Sequence, residues 1–145
     1  MNDERVPRDQ GIDRRVAMKF PEELLYTDTH EWVKNEGKRV TVGLTDYAQS
    51  QLKDIVYVEL PEIGSGFKKG ESIGVVESVK TAADLFSPVS GKVTEANMTL
   101  KDSPQFINED PYGKGWILKI DLQDKGELKK LLTSEAYQGS LPKEE

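Results

Sequence analysis

Residues 74–88 read GVVESVKTAADLFSP. Two short runs of apolar and small residues meet at a single charged amine, Lys80. Residues 72–79 and 81–86 flank it as candidate strands, and if they pair they make a β-hairpin. Glu77, Ser78, Val79 and Lys80 form its tip, while Val75, Val76 and Val79 are expected to pack. A lysine at a hairpin tip has two readings: a solvated turn residue, or an amine held out for another enzyme to acylate. It is a poor general base there, because a lysine gains that role by desolvation. Acylation would remove its charge and move the net charge from −6 to about −7.

Outward from the hairpin, turn signals recur along the chain at the spacing of a β-rich domain. Segments 29–34 (THEWVK) and 39–44 (RVTVGL) predict strands joined by Asn35-Glu36-Gly37-Lys38, with Gly37 supplying positive φ. Thr45 reads as the N-cap of a short helix over 46–51, with Ala48 and Leu52 inward. Segment 54–60 (DIVYVEL) alternates and stops at Pro61. Residues 61–70 hold three glycines and a proline and predict a loop. Strands follow at 92–97 and 116–120, separated by a polar, irregular stretch over 100–112. Short helices are predicted at 127–132 and 134–138. Gly74 and Gly91 mark close backbone approach or tight bends, and Trp32, Tyr57 and Trp116 read as core. GFKKGESIGVVES before Lys80 is loosely echoed by SPVSGKVTEAN after it, as in two halves of one barrel. The expected architecture is mainly β with short helices, in a small barrel or sandwich.

The chain has 145 residues, the length of one domain. Its 20 basic and 26 acidic residues leave no basic patch for nucleic acid or anionic membrane. Without cysteine there is no disulfide, thiolate metal site or cysteine nucleophile. His30 is the sole histidine, which excludes a multi-histidine metal site. It reads as a packed strand residue. No apolar run approaches the roughly 20 residues of a membrane-spanning helix. Residues 1–18 are expected to be a disordered extension, 19–140 a single domain, and 141–145 a frayed end. Segment 1–17 carries four arginines but also Asp3, Glu4, Asp9 and Asp13, so it fits neither a transit nor a signal peptide. Cytoplasmic location is the expectation. Met18 reads as an alternative start, which N-terminal sequencing of the natural protein decides.

Beyond these patterns, the chain resembles the H protein family of the glycine cleavage system. The resemblance rests on THEWV (29–33), GLTDYAQSQLKDIVYVELPEIG (43–64), GESIGVVESVKTAADLFSPVSGKV (70–93), INEDPYGKGWILKI (107–120) and SEAY (134–137), all in order. It implies a flattened hybrid barrel-sandwich of the lipoyl/biotinyl-carrier type, with lipoate in amide linkage on Lys80 at the hairpin tip. It also implies a non-catalytic carrier in glycine catabolism and one-carbon metabolism. The arm would accept an aminomethyl group from a pyridoxal-phosphate glycine decarboxylase. It would present that group to a tetrahydrofolate-dependent aminomethyltransferase and be reoxidised by dihydrolipoyl dehydrogenase.

The resemblance further implies that Glu77, Ser78 and Val79 mark the site for the lipoylating enzyme. Thr29, Glu31, Gln51 and Asp84 match positions of a cleft that stows the arm. Each also reads as an ordinary exposed polar residue. Thr29 stands where a serine is frequent, Ala83 replaces a serine before Asp84, and Gln51 stands where some members have histidine. Asn108, Asp110 and Tyr112 read as a structural loop.

A biotin carrier usually sets its lysine between methionines, whereas Val79 and Thr81 flank Lys80. A lipoyl domain of a 2-oxoacid dehydrogenase would be followed by a Pro/Ala-rich linker. An H-like protein that donates lipoyl groups to other complexes is the alternative function. A structural barrel with Lys80 unmodified is the plainest one. No acid–base–nucleophile constellation points to a free-standing enzyme.

Overall fold

The computed structural model describes residues 18–142. Nine strands are found among the described residues, with short helices between and after them. In chain order the first elements are β1 (Leu25–Tyr26), β2 (Glu31–Asn35), β3 (Arg39–Leu44), α1 (Asp46–Leu52) and β4 (Ile55–Glu59). Then come β5 (Gly66–Phe67), β6 (Ser72–Ser78), β7 (Ala82–Phe86) and β8 (Gly91–Ala96). The last are α2 (Thr99–Asp102), α3 (Phe106–Glu109), β9 (Leu118–Leu122), a 3-10 helix (Lys125–Lys130) and α4 (Ser134–Ser140).

The strands form two antiparallel sheets and no closed barrel. One has the order β1-β2-β3-β9-β8-β5 and the other β4-β6-β7. Their inner faces enclose one core. Val33, Val42, Leu118 and Ile120 come from the larger sheet, and Ile55, Val58, Val76 and Leu85 from the smaller. This is the mainly-β, sandwich-type architecture expected from the spacing of the strands. Of the two echoed segments, the first supplies β5 to the large sheet and β6 to the small one, and the second supplies β8 to the large sheet beside β5.

Local chemistry explains the elements. Thr45 caps α1, its Oγ1 accepting the Ala48 N–H at 3.1 Å, and Ala48 and Leu52 face inward as predicted. Gly37 sits at φ 96° in the β2–β3 turn. A Cβ on Gly91 would run into the Asp121 carbonyl oxygen of neighbouring β9, and one on Gly74 would stand 2.6 Å from the Glu59 carbonyl. Both glycines therefore allow strands to approach where any side chain would collide. Stretch 100–112 holds two short helices, and Asn108 ties it down. Its Oδ1 accepts the Ile55 N–H at 3.0 Å, and its Nδ2 donates to the Lys53 carbonyl at 2.7 Å. Asp110 accepts from Lys114 N–H and Tyr112 from Asp46 N–H, so this loop is structural as expected.

Several expectations are corrected. The strand expected from Thr29 starts at Glu31, because His30 takes φ 77° and breaks the extended chain. The expected helix over 127–132 is a 3-10 helix starting earlier, capped by Asp124 accepting from Gly126 N–H. Tyr57 is 48% exposed and Val79 73% exposed, so neither is core. Trp32 is buried as expected, whereas Trp116 is only partly so.

A second cluster, not foreseen, joins Phe20, Tyr26, Trp32, Tyr47 and Tyr137. Tyr137 stacks on Tyr26 with ring centroids 4.8 Å apart, which fastens α4 against β1. Leu141, in the stretch expected to fray, is buried in this cluster. Residues 143–145 and the extension 1–17 lie outside the described residues.

Candidate functional site

The β6–β7 hairpin has the tip predicted for it. Ser78 is buried and closes the turn from within. Its N–H donates to the Thr81 carbonyl at 2.7 Å, and its Oγ accepts the Thr81 N–H at 3.1 Å and the Lys80 N–H at 3.3 Å. Val79 N–H donates to the Asp54 carbonyl at 3.0 Å, which anchors the tip to the start of β4. The backbone under Lys80 is thus fixed at four points. Its side chain is exposed, and its ammonium has no hydrogen bond or ion pair among the described residues. Glu77 is exposed on β6, opposite Ala82.

A cleft of about 430 Å³ opens farther along β7, lined by Thr27, Thr29, Glu31, Lys69, Phe86 and Pro88 among others. One wall is the 27–31 loop of the large sheet and the other is the β7–β8 turn. Glu31 lies at the junction and is fully buried. Its Oε1 accepts the hydroxyls of Thr27 and Thr29, both at 2.5 Å, and its Oε2 accepts the Phe86 N–H at 3.0 Å. Among the described residues the carboxylate has no ion-pair partner. Burial raises its pKa, and the donated hydrogen bonds oppose that rise. Lys69 lines the same cleft, its Nζ donating to the Pro88 carbonyl at 3.1 Å.

The loop owes its shape to His30. Positive φ at a residue other than glycine costs about 1–3 kcal/mol. Here it returns the chain so that Glu31 N–H meets Thr27 Oγ1 at 3.0 Å. The ring is held by Nδ1 against Tyr137 Oη at 2.8 Å, and Tyr137 Oη in turn meets Thr45 Oγ1 at 2.8 Å. Burial pushes the His30 pKa down. The unfolded chain therefore binds this proton more readily. Stability is full above the ordinary histidine pKa and falls as pH drops from there through the lowered folded value. As the sole histidine, His30 gives a single imidazole signal in NMR. Its titration midpoint should lie below that of an unstructured histidine peptide; an equal or higher midpoint would refute the half-buried ring held against Tyr137.

Of the four cleft positions expected from the sequence, Thr29 and Glu31 come together in the wall. Asp84 and Gln51 stand apart from it. Asp84 is exposed on β7 and accepts from Ser72 Oγ at 3.2 Å. Ala82, Asp84 and Phe86 share one face of the strand by alternation. Asp84 thus lies between the tip and the cleft, about 13 Å of strand from Lys80. Gln51 is exposed on α1. Thr27 and the Phe86 N–H went unseen in the sequence. The period-two T-x-T-x-E of residues 27–31 is a signal for the first, but nothing local could announce a backbone donor from the other sheet.

A model of the glycine cleavage H-protein family matches residues 24–144. The chain belongs to this family. An H protein of the glycine cleavage system from Thermus thermophilus is 51% identical over 127 residues, covering 88% of this chain and 99% of that one. One from Acinetobacter baumannii is 56% identical over 124 residues, 86% of this chain and 100% of that one. The crystal structure of a glycine cleavage system H protein from Mycobacterium marinum superposes with a TM-score of 0.75 at 41% identity. It covers 82% of this chain and 96% of that one. The two-sheet sandwich is therefore the H-protein fold, in agreement with the resemblance noted in the sequence. Among the described residues no helix is long and apolar enough to cross a membrane, and no cluster of histidine and acidic side chains could hold a metal.

Proposed function

We propose that this H-protein-family chain is the lipoyl carrier of a glycine cleavage system and that Lys80 is its attachment site. The observation that carries the reading is the tip itself: a turn pinned from inside by Ser78, presenting an exposed amine that is unpaired among the described residues. Such an amine fits acylation, which needs an accessible, unengaged nitrogen on a backbone that does not move away. In the acylation the Lys80 ammonium first gives up a proton; the free Nζ then attacks the carbonyl of a lipoyl adenylate formed with ATP, loses a second proton as the amide forms, and AMP leaves. Bound there, the lipoyl group supplies the sulfur chemistry that takes up and releases an aminomethyl cargo.

The chain's own part is presentation and shelter. The tether makes each transfer intramolecular once a partner docks. The cleft shelters cationic cargo. The Glu31 carboxylate, oriented by Thr27, Thr29 and the Phe86 N–H, is its counter-charge, and Asp84 is a waypoint along β7. Gln51, exposed on α1, receives no role. The chain itself is not catalytic. Its partners are the pyridoxal-phosphate glycine decarboxylase, the tetrahydrofolate-dependent aminomethyltransferase, dihydrolipoyl dehydrogenase and the lipoylating enzyme. It works in the cytoplasm. Donation of the lipoyl group to other lipoate-dependent complexes is an alternative use of the same tip.

Intact mass before and after incubation with lipoate ligase, ATP and lipoate tests the reading. One lipoyl group, mapped to the Lys80 peptide, is expected. No addition, with a control carrier modified in parallel, would overturn it. In the same assay Glu77→Ala should slow acylation several-fold without shifting the melting temperature, since Glu77 is exposed and surface changes are usually within about 0.5 kcal/mol. An unchanged rate would remove Glu77 from recognition.

A further inference from the structure

The register of β4 against β6 shifts between Ile55 and Tyr57. Ile55 pairs with Ser78 and Tyr57 with Glu77, so Val56 is the extra residue of a β-bulge. A regular strand would send residues 56 and 57 to opposite faces. Here Ile55 and Val58 are buried at 3% and 2%, while Val56 and Tyr57 are exposed at 53% and 48%. The bulge thus turns two neighbouring apolar side chains outward beside Glu77. Val79, 73% exposed, extends the patch to the tip, where its N–H is bonded to the Asp54 carbonyl. Asp54, Glu59 and Glu77 are exposed around it. The result is an apolar centre with an acidic rim next to Lys80, whose own positive charge disappears on acylation.

Resting on the reading of Lys80 as the acylated residue, we propose that Val56, Tyr57 and Val79 form the docking surface for the enzyme that attaches the lipoyl group. That enzyme presents an apolar seat rimmed by basic side chains. Among the partners of the glycine cleavage cycle, the attaching enzyme must bring its active site to Nζ at the tip. Enzymes that act on cargo meet the far end of a long arm and can dock elsewhere. A patch in contact with the tip therefore fits the attaching enzyme, and the acidic rim supplies charge complementarity and attraction at a distance. Tyr57, a large amphipathic side chain at the centre, is the anchor.

The test uses the full chain, lipoate ligase, ATP and lipoate, with acylation followed by intact mass. Tyr57→Ser and Val56→Ser should each lower kcat/KM for acylation, the former by about tenfold or more. Circular dichroism should be unchanged, since neither side chain is in the core. Ile63→Ser, at an equally exposed residue in the loop beyond β4, should acylate normally. Normal acylation of Tyr57→Ser and Val56→Ser alongside a wild type modified at Lys80 would overturn this inference and leave the carrier reading standing. Absence of acylation in the wild type would overturn both. A further arm loads the variants to completion and measures glycine decarboxylase exchange. Loss there, with acylation intact, would assign the patch to the decarboxylase and overturn the inference.

Discussion

Lys80→Arg is expected to fold like the wild type and to have no carrier activity at all. The side chain is exposed and the turn beneath it is held by Ser78 and the backbone, so the melting temperature should be within about a degree or two. The charge is retained. The lost property is a nitrogen that can be acylated, because a guanidinium stays protonated with a pKa above about 12. Intact mass should show no lipoyl addition under conditions that modify the wild type fully. Exchange catalysed by glycine decarboxylase should fall to the level seen without carrier. Residual exchange near the wild-type level would mean that another residue holds the arm or that the chain does not carry.

Glu31→Gln should have the second largest effect, and on a different quantity. Acylation at Lys80 should proceed normally, because the cleft is far along β7. Shelter of the cargo should fail. A hydrogen bond to a charged group contributes about 1.5–3 kcal/mol. Loss of the counter-charge should therefore speed hydrolysis of the cargo-bearing form by about tenfold to a hundredfold. An unchanged lifetime would remove Glu31 from the cleft role. Stability carries a second readout. The folded pKa of Glu31 is raised, so its ionisation opposes the fold. Its contribution is full below the unfolded carboxylate pKa and is lost as pH rises through the folded one. Wild type minus variant should show that decline in denaturant midpoint, because glutamine does not titrate. The absolute change at one pH is the balance of two opposing effects. Removing a buried charge stabilises, while the amide group leaves the Phe86 N–H or a threonine hydroxyl without an acceptor, at about 1–3 kcal/mol.

On the proposed reading, loading and shelter depend on different parts of the molecule and can be broken separately. The tip serves access: high exposure, a fixed backbone, an apolar patch within reach. The cleft serves the opposite need, with a buried charge and walls from both sheets. The arm is the only link required between them, since Asp84 on the connecting face leaves the strand exposed along the way.

The sequence by itself determined most of the β frame and the tip. The apolar flanks 72–79 and 81–86, bounded by turn residues on both sides, offered a hairpin if they pair, and a hairpin puts residue 80 outside. The Thr45 cap was legible for the same reason, because its partner Ala48 lies three residues on; the Asn108 loop was legible only as a loop, since Lys53 and Ile55, which it binds, lie more than fifty residues back. The ordered blocks from THEWV to SEAY carried the family. Tertiary structure alone decided which side chains the sheets bury. Glu31 reads as an exposed strand carboxylate until the Phe86 N–H of the other sheet closes over it. His30 reads as strand until Tyr137, more than a hundred residues away, holds its ring in a left-handed turn. Tyr57 reads as core because alternation cannot announce a bulge: one unpaired residue reverses the face of its neighbour, and only pairing with β6 shows where the extra residue falls. Local pattern fixes period and turn. Burial and hydrogen-bond satisfaction are set by partners remote in the chain, and the cleft and the patch beside Lys80 are made of those.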